Sequence, residues 1–378
     1  MLPVDLPGTV RDALLAPLVD HHCHGVRRDD LSRAQFELLA GGGGPAPPGT
    51  THFDTPFGVA VRRWCAPLLD LEPHAPPAVY LARRAELGAA EVNRRLLAGA
   101  GVVAFLVDSA EEDLEALTAG EMGRHGGAAA DELVRVEQIE RDVAATAQLA
   151  VDYLDTLGEE LGARAARAVG LKTVIGSLCG LDLDPDRPSR GAVIAAANRR
   201  LADPKEPLTD PVLLCHLLWS AIDVARERGL PVQFHSGFAP GARHRADPAR
   251  MSAFAGALQP LGVPLILLHP YPFHRQAAHL AAIHPHVYVD AGLALPHGAA
   301  AAARVIDELL ELAPFHKQLF SSGCRGLAET GYLGALSYRR ALAGALAARL
   351  AAGEWNASDA ARVAHMIGSG NARRIYRL

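Results

Sequence analysis

Val19-Asp20-His21-His22-Cys23-His24 is the stretch on which the reading of this chain turns. The apolar run Leu18–His22 reads as a short strand, and imidazoles crowd its end. Residues two apart in an extended strand face the same way, so His22 and His24 would grip one ion together. Neutral imidazoles suit zinc and related transition metals, and catalytic sites keep one position open for water. Two later runs end alike: His235 closes Val232-Gln233-Phe234-His235, and His269 closes Leu265-Ile266-Leu267-Leu268-His269. With 17 histidines in 378 residues, the pair on its own says little; its conjunction with two strand-end histidines carries the argument. A second pair, His284 and His286 around Pro285, reads as surface.

Working outward, short runs rich in Val, Ile and Leu recur between helical patterns. Strands are expected at Leu18–His22, Val102–Val107, Val134–Val136, Val169–Ile175, Pro231–His235, Pro264–His269, Val287–Asp290 and Gln318–Ser321. Each is too short for a helix and is followed by polar or glycine-containing residues. Glu140–Leu157, Asp210–Arg228 and Ala302–Leu312 carry apolar residues at helical spacing. Strands alternating with helices imply a parallel sheet, and eight of them fit an α/β (β/α)8 TIM-like barrel better than an open doubly wound sheet. In a barrel the carboxyl ends of the strands line the active-site mouth, which is where these histidines fall.

The segment Arg28–Ala100 has no place in a minimal barrel. Gly41–Gly44 and the prolines Pro45, Pro47 and Pro48 suggest a mobile loop, followed by helical runs around Val61–Leu69 and Pro77–Leu97. It reads as a helical insertion after the first strand, standing over one mouth of a single barrel spanning residues 1–378; a small separate domain is the alternative. Ala335–Leu378 reads as helix packed outside.

Composition excludes several classes. A net charge of −5 without clustered Lys, Arg and aromatics argues against a nucleic-acid partner. No apolar stretch reaches about 18 residues without a charge or breaker, so no membrane span is expected. Five cysteines with no CxxC spacing speak against a disulfide scaffold or zinc ribbon. The first ten residues lack the basic start and apolar run of a secretory signal, and the cytoplasm is the expected compartment. A small-molecule substrate is the expected partner, with a homo-oligomer left open.

Beyond the histidines, particular segments make the chain resemble the amidohydrolase superfamily, in its amidohydrolase 2 branch, whose relatives include domains fused to glutamine-synthetase-like proteins. The segments are Arg62-Arg63-Trp64, Arg83-Arg84-Ala85-Glu86-Leu87-Gly88, Val134-Arg135-Val136-Glu137, Gly170-Leu171-Lys172, His235-Ser236-Gly237-Phe238, Tyr271-Pro272-Phe273, Val287-Tyr288-Val289-Asp290, Leu310-Glu311-Leu312-Ala313-Pro314 and Asn371-Ala372-Arg373-Arg374-Ile375-Tyr376. The resemblance implies a divalent metal, zinc first with manganese or iron as alternatives, held by His22, His24 and His235. His269 would be a ligand or substrate contact. It also implies metal-dependent hydrolysis of a small amide C–N bond, a γ-glutamyl amide by association. Lys172 lies in an apolar strand, where an unpaired ammonium is costly, so a site role is favoured over a structural one; carboxylated, it would bridge two metals. Glu137 is a weaker candidate, evenly weighed against an ion pair with Arg135.

The resemblance breaks at the eighth strand. Relatives carry an Asp after Ser-Ser or Ser-Thr, as ligand and proton shuttle; here Phe320-Ser321-Ser322 runs into Gly323. Ser177-Leu178 likewise stands for Tyr-Arg, and Ala239-Pro240 for Gly-Asp. A hydrolase would then recruit His269, Glu329, Cys324 or a carboxylated Lys172 as its base. The alternatives are a metal barrel with switched chemistry (decarboxylase, lyase or cyclase) and a non-catalytic binding relative.

Overall fold

A computed structural model describes residues 2–42, 44–109, 115–237, 243–298 and 301–378. The expected residues Gly43, Phe238, Ala239 and Pro240 lie outside the described set. Eight strands occur in order: β1 Leu18–Cys23, β2 Val102–Asp108, β3 Ala129–Arg135, β4 Gly170–Thr173, β5 Val232–His235, β6 Leu265–Leu268, β7 Val287–Asp290 and β8 Gln318–Leu319. They form one eight-stranded sheet in sequential order. The pairs β1–β2, β3–β4, β4–β5, β5–β6 and β6–β7 are parallel, and helices fill the connections. This is the (β/α)8 barrel fold that the alternation predicts. Leu265, Ile266, Leu267 and Leu268 are all buried, as in strands covered on both faces.

Two compact units divide the chain. The first comprises Met1–Asp131, Ala291–Glu311 and Gln318–Arg374; the second comprises Glu132–Asp290, Leu312–Lys317 and Ile375–Leu378. In the first unit the chain after β8 runs along β1: the His21 N–H donates to the Phe320 carbonyl (3.2 Å), the Gly323 N–H to His22 (3.1 Å) and the His24 N–H to Cys324 (2.6 Å). The segment Arg28–Ala100 belongs wholly to this unit and is mostly helical, with turns at Arg33–Ala40, Pro56–Ala60, Val61–Cys65, Ala66–Leu69, Pro77–Leu87 and Ala89–Gly99. Ser32 opens the first of these through a reciprocal capping box with Gln35.

In the second unit Asp210 caps the helix Pro211–Arg228, with proline at its first position, and Gly229 (φ 65°) ends it. The helix expected at Glu140–Leu157 is two, Val136–Ala144 and Ala150–Ala165. Thr146 breaks the pattern by donating its hydroxyl to the Val143 carbonyl. Val136, expected in a strand, starts a helix instead, and β3 extends back through Ala129, Ala130, Asp131 and Glu132. Glu140 is buried and accepts from Arg200 Nε (2.7 Å) and Tyr153 OH (2.8 Å). His286, expected at the surface, is buried at the foot of β7, while His284 is half-buried. Leu265–Leu268 is a central buried strand, and Leu265 N–H donates to the His286 carbonyl, which draws that residue inward. No described helix is long and apolar enough to cross a membrane.

Two stability predictions follow from this packing. Arg200→Ala leaves the Glu140 carboxylate buried without its cation, and is expected to cost about 3–5 kcal/mol in urea unfolding. Adding Glu140→Leu to Arg200→Met should recover part of that loss. For His286, burial, then His284 and Lys317, push the imidazole from 6.5 down to about 4. The unfolded chain therefore takes up the proton first, and stability falls as pH drops from about 6.5 to about 4. His286→Leu should flatten that part of the stability–pH curve; an unaltered slope would contradict the assignment.

Candidate functional site

In the first unit every residue of β1 is buried, so its polar side chains must find partners. The His22 and His24 rings stand 5.0 Å apart, edge to face. His24 Nδ1 lies 3.2 Å from the Asp108 carbonyl oxygen and 3.8 Å from the Asp108 carboxylate, both at the end of β2. A carbonyl only accepts, so Nδ1 carries the hydrogen and the lone pair of the neutral ring sits on Nε2. Backbone partners of this kind fix the tautomer of metal-binding histidines. Asp20 accepts from the Ser322 N–H (2.9 Å) and hydroxyl (2.5 Å), and burial pushes its carboxyl up to about 6. Gly323, which follows, adopts a left-handed backbone (φ 60°) and offers no side chain at the position where the family resemblance leads one to expect an Asp.

The substitute bases in this unit are occupied. Glu329 is fully buried; its Oε1 accepts from Tyr80 OH (2.8 Å) and Arg84 Nε (2.7 Å), and its Oε2 from Arg84 Nη2 (3.4 Å). It joins the helix Pro77–Leu87 to the helix Ala328–Ala351. The Cys324 Sγ contacts the Leu327 carbonyl at 3.2 Å, and burial pushes the thiol well above its ordinary range. Such a thiol is a poor nucleophile.

In the second unit His235 ends β5 and His269 follows β6, with ring centroids 5.4 Å apart. His269 has φ 55°, uncommon for a residue with a side chain. Its N–H donates to Asp290 Oδ1 at 2.8 Å, and its Nδ1 lies 4.0 Å from Asp290 Oδ2. Beside it Gly237 (φ 63°) must be glycine, because a Cβ there would sit 2.4 Å from the Pro270 backbone. Ser236 donates both its N–H (3.0 Å) and its hydroxyl (2.8 Å) to the Leu268 carbonyl, fastening β5 to β6. Lys172 is buried in β4, in register with Arg135 of β3 and Gln233 of β5. Glu137, one residue into its helix, accepts from Thr173 Oγ1 (2.5 Å) and the Val174 N–H (2.9 Å).

The structure thus brings His22 to His24 in one unit and His235 to His269 in the other, and commits Glu329 to an ion pair. Among the described residues no group of three or more His, Cys, Asp or Glu side chains has metal-holding geometry. The donor chemistry nevertheless suits a borderline divalent ion: buried imidazoles, one with its tautomer fixed from behind. Sequence reasoning missed Asp108 and Asp290 as the carboxylates backing His24 and His269. Each aspartate closes an otherwise apolar strand, a pattern that marks a strand-end carboxylate but not the histidine it backs.

The family model described as Amidohydrolase matches residues 19–378. The protein fluG of Emericella nidulans is 28% identical over 225 residues, 56% of this chain but only 26% of that protein, so the chain spans about a quarter of that relative. Among solved structures, the "putative metal-dependent hydrolase" of Lactobacillus casei ATCC 334 superposes with a TM-score of 0.86 at 21% identity, covering 99% of this chain and 98% of that one. Glucuronate isomerase from Caulobacter crescentus gives 0.67 at 16%, covering 100% and 95%, and uronate isomerase from Thermotoga maritima gives 0.64 at 11%, covering 97% of each. At such identities the structural likeness speaks for the fold alone, while the match over residues 19–378 places the chain in the amidohydrolase family.

Proposed function

We propose that the protein is a metal-dependent hydrolase of a small amide C–N bond, of the γ-glutamyl type, with His22, His24 and His235 holding a divalent metal, zinc first and manganese or iron as alternatives. The observation that carries this reading is His24, whose Nδ1 hydrogen is held by the Asp108 carbonyl beside the His22 ring. When bound, the ion supplies Lewis acidity, which polarises a carbonyl and acidifies water. The chain's own groups then divide the remaining work. Gly323 cannot take a proton, Glu329 is bound to Arg84 and Tyr80, and the Cys324 thiol is held protonated. Of His269 and Lys172, which remain, His269 is the group taken to carry the proton to the leaving amine, and Asp290 fixes its backbone for that task. Lys172 serves from the buried strand β4, carboxylated as a bridge between two metals or unmodified as a catalytic lysine.

A second reading has one specific support. The missing side chain at Gly323 suits a metal barrel whose chemistry needs no carboxylate there, such as a decarboxylase, lyase or cyclase. A relative that binds without reacting is the third possibility.

The chromogenic amide L-γ-glutamyl-p-nitroanilide separates these. Metal-loaded protein should release p-nitroaniline, chelation should abolish the release, and His269→Ala should lower kcat about a hundredfold or more. Retained metal with no release from this amide would favour switched chemistry. Stability offers a parallel check on Asp290. Asp290→Ala leaves the buried His269 N–H unpaired, an expected loss of about 1–3 kcal/mol, and activity should fall with it. Asp290→Asn keeps an acceptor oxygen and should restore most of the stability; equal losses in the two variants would contradict the role given to the hydrogen bond.

A further inference from the structure

The second unit holds a buried carboxyl that the proposed reaction does not use. Glu137 sits just past the carboxyl end of β3, and its partners sit at the carboxyl end of β4, on the side of such a fold where ligands bind. Thr173 Oγ1 and the Val174 N–H both donate to the same oxygen, Oε1. The other oxygen, Oε2, is buried and has no hydrogen-bond partner among the described residues.

The other buried glutamates among the described residues are treated differently. Glu140, three residues further along the same helix, has Arg200 on both oxygens and Tyr153 on one. Glu329 has Arg84 on both oxygens and Tyr80 on one. Glu37 receives Arg33 on one oxygen, and Thr51 and His52 on the other. Of these four only Glu137 keeps a bare oxygen. A buried acceptor without a donor is costly, and native structures rarely retain one without a use. Burial pushes this carboxyl up, while Thr173, its own backbone N–H and Val174 pull it down. Burial outweighs these and a nearby Arg135, so the carboxyl is raised overall; with both hydrogen bonds on Oε1, Oε2 is the oxygen left without a partner among the described residues.

We infer that Glu137 Oε2 is a substrate-binding group that receives an ammonium or amine N–H donor of the bound ligand. The α-ammonium of a γ-glutamyl compound is the donor of this class that fits the proposed function, and the inference rests on that reading for its choice of ligand. Thr173 is the positioning residue, holding Oε1 toward β4 and leaving the buried Oε2 without a protein donor among the described residues.

The test uses two ligands differing only in the ammonium group, L-γ-glutamyl-p-nitroanilide and glutaryl-p-nitroanilide, with binding to the full metal-loaded chain measured by calorimetry. The wild type should bind the ammonium-bearing ligand at least about tenfold more tightly, as befits a charge-assisted hydrogen bond. Glu137→Gln, which keeps an oxygen for Thr173 and Val174, should bind both ligands alike. Thr173→Val should shrink the preference, and it decides the matter if the glutamine variant does not fold. Binding of neither ligand, no preference in the wild type, or a preference that survives Glu137→Gln would overturn the inference. Hydrolysis without such a preference leaves the amidohydrolase reading standing while the inference fails. A Glu137-dependent preference without hydrolysis does the reverse.

Discussion

The grip of Asp20 on Ser322 is the interaction on which the candidate site of the first unit depends. One buried carboxylate takes both the N–H and the hydroxyl of a residue 302 positions away. This ties β1 to the chain leaving β8 and adds to the three backbone hydrogen bonds between the same segments. Parallel strands end their ladders at the rim with backbone groups still to be satisfied, and here the satisfaction is what holds His22 and His24 rigidly. A histidine pair on a loose strand end would lose the orientation that makes it useful as a ligand pair. The raised carboxyl of Asp20 is the cost of keeping that anchor out of water.

The second unit solves the same problem with backbone conformation. Gly237 and His269 turn the ends of neighbouring strands through the left-handed region, but only Gly237 does so without a side chain. A histidine held there by Asp290 is strained where glycine would be relaxed, and strain of this sort is retained where the side chain has a task. Each unit therefore backs a rim histidine with an aspartate ending a strand, Asp108 behind His24 and Asp290 behind His269. Glu329 belongs to another class, a buried ion pair that fixes the insertion and leaves no oxygen for catalysis.

The fold was legible because strands buried on both faces read as unbroken apolar runs, as Leu265–Leu268 does. β3 was mostly missed because Ala129–Glu132 is two alanines and two acids, partly exposed and without β-branched residues, so only its apolar tail stood out. His22 and His24 were legible from their spacing, a local property. Their supports were not, since Asp108 lies 84 residues from His24 and Ser322 lies 302 from Asp20. No local pattern encodes such a partner. Glu329 misled for the same reason: its acidic character was visible in sequence, and the Arg84 that occupies it, 245 residues away, was not.

Metal content tests the central claim most directly. The protein, purified without chelator and assayed by elemental analysis beside a His22→Ala/His24→Ala double variant, should carry about one or two equivalents of a divalent transition metal. The variant should carry none while remaining folded. Absence of metal from both proteins, even after soaking with zinc or manganese, would contradict the account and leave a barrel whose histidines serve only its packing.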